Sequence, residues 1–197
     1  MTGLVRTAVD VARTVEVPWG LAVMDAVLGR GVQRADLEAG RRRYARAPGS
    51  RRAALVITHA DPRAESALES VARGVMLMLG LPVPDLQVPV SASGRRYRVD
   101  LLVREFRTIV EVDGKVKYVG DGADPERSWQ EKRRRDHLLE RGYEVERFVA
   151  ADYWHPQRWG RSLLRAFHRA CRRHGLEPPD IDPAFPAFRG TWHTNPP

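Results

Sequence analysis

The stretch Arg96-Tyr97-Arg98-Val99-Asp100-Leu101-Leu102-Val103-Arg104-Glu105-Phe106-Arg107-Thr108-Ile109-Val110-Glu111-Val112-Asp113-Gly114-Lys115 reads as two β-strands joined by a tight turn. Apolar residues dominate both halves, yet Asp100 interrupts the first, and Glu111 and Asp113 interrupt the second. Acidic side chains are poor strand formers and costly to bury unpaired, so three of them here need a reason. A turn at Glu105-Phe106 makes the numbers of facing residues sum to 211, which sets Asp100 opposite Glu111. Facing residues of an antiparallel pair lie within about 5.5 Å, with their side chains on one face. Asp113, two residues beyond Glu111, shares that face. Carboxylates so close raise one another's pKa unless a cation lies between them, and a hard divalent ion such as Mg²⁺ takes oxygen ligands and phosphate alike. Lys115 continues the alternation and Lys117 follows it. A cation there could stabilise charge developing on phosphate or position a water.

Working outward, Asp61-Pro62 reads as a helix start, followed by Leu68, Val71, Ala72, Val75 and Leu79 at helical spacing and ended by Gly80. Leu86, Val88 and Val90 alternate as a strand, and Ser91 to Gly94 supplies a turn. Asp124-Pro125 opens a second helix that Gly142 closes, and Tyr143 to Val149 is a fourth strand. His155-Pro156 opens a last helix with Trp159, Leu163, Leu164, Phe167 and Ala170 on its inner face. Short connections make the first three strands an antiparallel meander, while the helical crossover returns the fourth parallel to the third. An α/β (α+β) fold follows, with a mixed four-stranded sheet flanked by helices. Trp154 and Trp159 read as core residues.

Composition divides the 197 residues into three regions. Residues 1–60 read as short helices around Val5 to Val15, Leu21 to Leu28 and Ala53 to Ile57, with a basic stretch from Arg41 to Arg52 between two of them. Residues 61–175 hold the αβββαβ succession, and 176–197, with six prolines, read as an extended tail. The net charge is +8 and the pI about 10.3, which favours a polyanionic partner such as nucleic acid. The single Cys171 excludes an internal disulfide framework and a cysteine zinc cluster. Neither a membrane span nor a secretory signal is expected, which places the protein in the cytoplasm. The six histidines lack metal-ligand spacing. Ser66 and Ser70 lack a His and Asp context, and Val119 to Ala123 fits no phosphate-binding loop.

The order αβββαβ with acids on the second and third strands resembles the PD-(D/E)xK nuclease superfamily, whose fold is restriction-endonuclease-like. More closely, the chain resembles the Vsr-like endonuclease domain of unknown function, related to very-short-patch-repair endonucleases. That domain recurs in actinobacterial proteins, often behind a winged-helix segment of the abortive-infection antitoxin type. The matching stretches are Ala64 to Glu69, Gly80 to Gln87, Val99-Asp100, Glu111-Val-Asp-Gly-Lys-Val-Lys-Tyr118, Glu131-Lys132 through Asp136 to Leu138, and Gly142 to Arg147.

The resemblance implies a divalent-metal-dependent DNA endonuclease using Mg²⁺ or Mn²⁺. Asp100 and Glu111 would be metal ligands, with Glu69 completing the shell and Glu65 one turn earlier on its face. Asp113 stands where the superfamily often has its lysine, a role open to Lys115 or Lys117. Gln87, Lys132 and Arg134 would meet the nucleic acid. The winged-helix head is not visible at this N-terminus, and the cysteine-rich zinc site of mismatch-directed relatives is absent. The rival expectations are a catalytically inactive nuclease-fold DNA-binding or antitoxin-like regulator, RNA as substrate, and a protein partner from a toxin–antitoxin or defence system.

Overall fold

A computed structural model of the chain describes residues 3–114 and 125–182. They fall into two compact units, one ending at Leu81 and the other beginning at Pro82.

The first unit is helical: α1 (Leu4–Thr14), α2 (Val17–Gly29), α3 (Arg34–Arg42), α4 (Ser50–His59) and α5 (Ala67–Met78). Residues of all five helices, among them Val9, Leu21, Met24, Leu37, Ile57 and Met78, meet in one apolar core. α2 is central, and its apolar composition suits a helix that buries Val17, Leu21, Met24 and Val27. It also buries Asp25, whose carboxylate pairs with Arg73 of α5 at 2.7 Å and accepts from the Asp61 N–H at 2.7 Å. Burial pushes the Asp25 pKa up, and Arg73 opposes that. α5 and α2 approach closely at Gly74, where an added Cβ would lie 2.4 Å from the Pro18 Cα.

Two expectations are corrected here. α3 lies between the expected helices at Leu21 to Leu28 and Ala53 to Ile57 and overlaps the basic stretch only at Arg41 and Arg42; it buries only Leu37, so a run of apolar positions gives little to find it by. α5 starts at Ala67, not at Asp61-Pro62. The Asp61 carboxylate instead accepts the Arg63 N–H two residues on, at 2.9 Å, while Ser66 caps the helix by accepting the Glu69 N–H at 3.1 Å. Because α5 packs on α2, the structural division follows Leu81, whereas composition divides the chain after residue 60.

The second unit contains β1 (Asp85–Ala92), β2 (Arg95–Val103), β3 (Thr108–Asp113), α6 (Pro125–Glu140), β4 (Glu144–Val149), a 3-10 turn at Ala150–Trp154 and α7 (Pro156–His174). The sheet order is β1-β2-β3-β4. The first two pairings are antiparallel and the third is parallel, as a meander followed by a helical crossover requires. Ser93 and Gly94, with φ of 48° and 72°, form the two-residue loop of the first hairpin, and two positive φ values match the strands' twist.

Alternation along β4 assigns the helices to opposite faces. Val145 joins Leu138 of α6, Val99, Leu102 and Ile109 in one cluster, whereas Phe148 meets Trp159 of α7 edge-on, with centroids 4.8 Å apart. All five inner-face residues expected of α7 are buried. Leu163, Leu164 and Phe167 each contribute about 1.5–3 kcal/mol by leaving water. Trp159 is core, and its ring N–H donates to the Arg147 carbonyl at 2.9 Å. Trp154 departs from expectation, being 36% exposed at the end of the 3-10 turn. Among the described residues, no helix is long and apolar enough to cross a membrane.

Candidate acidic site on the central strands

β2 and β3 pair through Leu101↔Val110, Leu102↔Ile109 and Val103↔Thr108, the register that sums to 211. The ladder ends one step short of Asp100 and Glu111, and there a side chain takes over. Asp100 Oδ2 accepts the Val112 N–H at 2.8 Å, so the aspartate satisfies a backbone donor that a longer ladder would have used. On the other side of β2, Leu86↔Leu101 and Val88↔Val99 are paired. Gln87 lies between them, level with Asp100, and adopts a φ of 54°. That left-handed conformation is rare and costly for a residue with a Cβ. Sheet regularity therefore fails on both sides of Asp100.

Glu111 and Asp113 both have cationic partners. Arg134 of α6 contacts Glu111 Oε1 at 2.8 Å, and the same Nη2 donates to the Arg98 carbonyl at 2.8 Å. Arg147, paired with Glu111 in the parallel register, reaches Asp113 at 3.5 Å. Burial holds the Glu111 carboxyl above its ordinary pKa; Arg134 pulls it down, Asp100 pushes it up and Arg147 pulls it down. Despite two arginines the net direction is upward, because partial burial penalises the ionised form. The Arg134 Nε is buried without an acceptor among the described residues, so the guanidinium is incompletely used.

The structure thus brings Asp100 and Glu111 into electrostatic contact and turns Asp113 to Arg147. Among the described residues, no three His, Cys, Asp or Glu side chains are grouped to hold a metal ion. Two carboxylates still suit Mg²⁺ or Mn²⁺, since Mg²⁺ is commonly held by one or two carboxylates, with waters and substrate phosphates filling the rest. Glu69 belongs to the helical unit, in a reciprocal cap: its carboxylate accepts the Glu65 N–H at 3.0 Å and the Ser66 hydroxyl at 2.9 Å. Lys132 is exposed on α6. Lys115, Lys117, the Asp124 helix cap and the tail beyond residue 182 lie outside the described residues.

Sequence reasoning missed Arg147 and the pairing of Arg134 with Glu111. Glu111 and Arg147 could have been matched once β4 was read as parallel to β3, by extending the register from Thr108↔Glu144.

No family model matches this chain, and no solved structure matches it. Two curated proteins, from two strains of Mycobacterium tuberculosis and both described as uncharacterized, are each 34% identical to it over 167 residues. The match covers 83% of this chain and 60% of each relative's length.

Proposed function

We propose that the chain is a divalent-metal-dependent endonuclease of the PD-(D/E)xK, Vsr-like type, hydrolysing phosphodiester bonds in DNA. The observation that carries this reading is the Asp100–Glu111 pair. Two carboxylates are held together where the ladder stops, and burial, with the Asp100 charge beside it, holds the Glu111 carboxyl above its ordinary pKa. The donor set is hard oxygen, and the +8 charge favours a polyanionic substrate.

Asp100 and Glu111 would hold Mg²⁺ or Mn²⁺, which when bound supplies a Lewis acid for the phosphodiester and a more acidic water. Arg134, at 2.8 Å from Glu111, offers a planar guanidinium that can exchange its carboxylate contact for a phosphate. Asp113 and Arg147 tie the end of β3 to β4 and position Glu111. Lys115 or Lys117 would supply a further cation, and Lys132 a contact to the phosphate backbone. We place this activity in the cytoplasm, where a lone free thiol is stable.

A second reading is favoured by the arginines already paired with Glu111 and Asp113: a catalytically inactive DNA-binding or antitoxin-like regulator, with a protein partner. Incubation of supercoiled plasmid with Mg²⁺ or Mn²⁺ separates the two. Nicking or linearisation by the native protein, abolished in Asp100→Asn and Glu111→Gln, is the expected result. Equal DNA binding by all three proteins with no cleavage by any would refute the endonuclease and leave the regulator. Competition between duplex DNA and structured RNA identifies the substrate.

A further inference from the structure

Next to the acidic site, the start of β2 and the N-terminal half of α6 enclose an open cavity of about 590 Å³. Arg95 and Tyr97 line it from β2, and Trp129, Arg133 and Arg134 line it from α6, together with two glutamates that offset part of the arginine charge. Trp129 is 54% exposed, although a tryptophan gains more than almost any residue by burial. The Arg133 guanidinium lies 5.0 Å over its ring, one helical turn along α6. Tyr97 is fixed by a 2.6 Å hydrogen bond between its hydroxyl and His137 Nδ1. The cavity therefore combines an exposed aromatic face, a fixed tyrosine and three guanidinium groups. Its volume falls within the range of small-ligand pockets, roughly 300–1,000 Å³.

We propose that this cavity takes an unpaired nucleotide of the nucleic-acid substrate, its base stacked on Trp129 and its phosphates held by Arg95 and Arg133. A base inside a duplex has both faces covered by its neighbours, so only an unpaired base can offer a face to Trp129. Aromatic stacking beside arginines is how single strands are held without sequence readout. Arg134 lines the cavity and also contacts Glu111, so a nucleotide bound here lies beside the acidic pair. The substrate would then be DNA with a single-stranded stretch, a flap or an unpaired base. This inference rests on the nuclease reading and narrows its substrate.

The test uses the full chain in EDTA, with fluorescein-labelled oligo(dT) and a fully paired duplex as probes and fluorescence anisotropy as the readout. Trp129→Ala should weaken binding of the single strand by roughly tenfold or more, the loss expected for one stacked base. Duplex affinity should change less than twofold, and Trp129→Phe should retain most of the single-strand affinity. Equal losses for both probes, or no loss for either, would overturn the inference while leaving the endonuclease to the plasmid assay. Failure of the native protein to bind either probe would overturn the inference and the nucleic-acid reading together.

Discussion

Asp100 has two roles that a single alanine substitution would confuse. Its carboxylate accepts the part-buried Val112 N–H at 2.8 Å, and its charge raises the pKa of Glu111. Asp100→Ala removes both and leaves a backbone donor unsatisfied, which costs about 1–2 kcal/mol at a partly exposed position. Asp100→Asn keeps an oxygen acceptor in the same place and removes only the charge. It also relieves Glu111 of a like-charged neighbour, so its stability should lie within about 0.5 kcal/mol of the native protein. For a chain of 197 residues, each kcal/mol corresponds to about 2–4 °C in Tm. Asp100→Ala should therefore melt about 2–8 °C lower, and Asp100→Asn within about 2 °C of native. Metal-induced stabilisation, measured by adding Mn²⁺ to each protein, should be lost in Asp100→Ala and sharply reduced in Asp100→Asn, because a neutral amide oxygen lacks the charge with which a carboxylate holds a divalent cation. Equal destabilisation by Asn and Ala would show that charge, not the Val112 hydrogen bond, is what the fold requires. An undiminished Mn²⁺ shift in Asp100→Asn would remove Asp100 from the metal site.

Two further substitutions follow from the geometry. The Glu111 pKa is raised in the folded state, so ionising Glu111 costs stability; the penalty is absent below the unfolded pKa and complete above the folded one. Glu111→Gln should raise Tm at neutral pH, with the gain vanishing as pH falls towards about 4.3; a gain that grows on acidification would contradict the direction of the shift. Gly74→Ala sets a helix-propensity gain of up to about 1 kcal/mol against a Cβ placed 2.4 Å from the Pro18 Cα. Backbone cannot swing aside as a side chain can, so overpacking should win, with a net loss of about 1–3 kcal/mol on urea unfolding. A variant as stable as the native chain would show that α2 and α5 can separate freely.

The strand register was legible because it depends on local chemistry: a turn at Glu105-Phe106 and apolar residues on either side fix which numbers face each other. The crossover was legible for a similar reason, since its length permits a parallel return. What escaped depends on side chains meeting across that crossover. Arg147 is one among many arginines in the sequence, and Arg134, expected to meet nucleic acid, gave no sign of its contact with Glu111; only the placement of α6 and β4 shows these two pairings. Trp129 escaped because an aromatic residue in a helix reads as core, and its 54% exposure is a property of packing. The start of α5 was misplaced for a different reason. Ser66-Ala67-Leu68-Glu69 is a capping-box sequence, and the reciprocal bonds of Ser66 and Glu69 were available to a local reading that instead put the helix start at Asp61-Pro62.

The parallel pairing of β3 with β4 also bears on the order in which the chain assembles. β1, β2 and β3 are joined by short turns and can meet as soon as they are made, because closing a short loop takes well under a microsecond. That early meander already contains Asp100, Glu111 and Asp113. Arg134 and Arg147 follow only with α6 and β4, after the crossover has closed the longest connection in the sheet. During synthesis, which runs from the N-terminus, the acids emerge before the arginines that neutralise them. Until the crossover closes, their mutual repulsion opposes the meander and a solution cation would relieve it. Refolding of this unit should therefore be faster in millimolar Mg²⁺ than in EDTA, and Glu111→Gln should lose that acceleration.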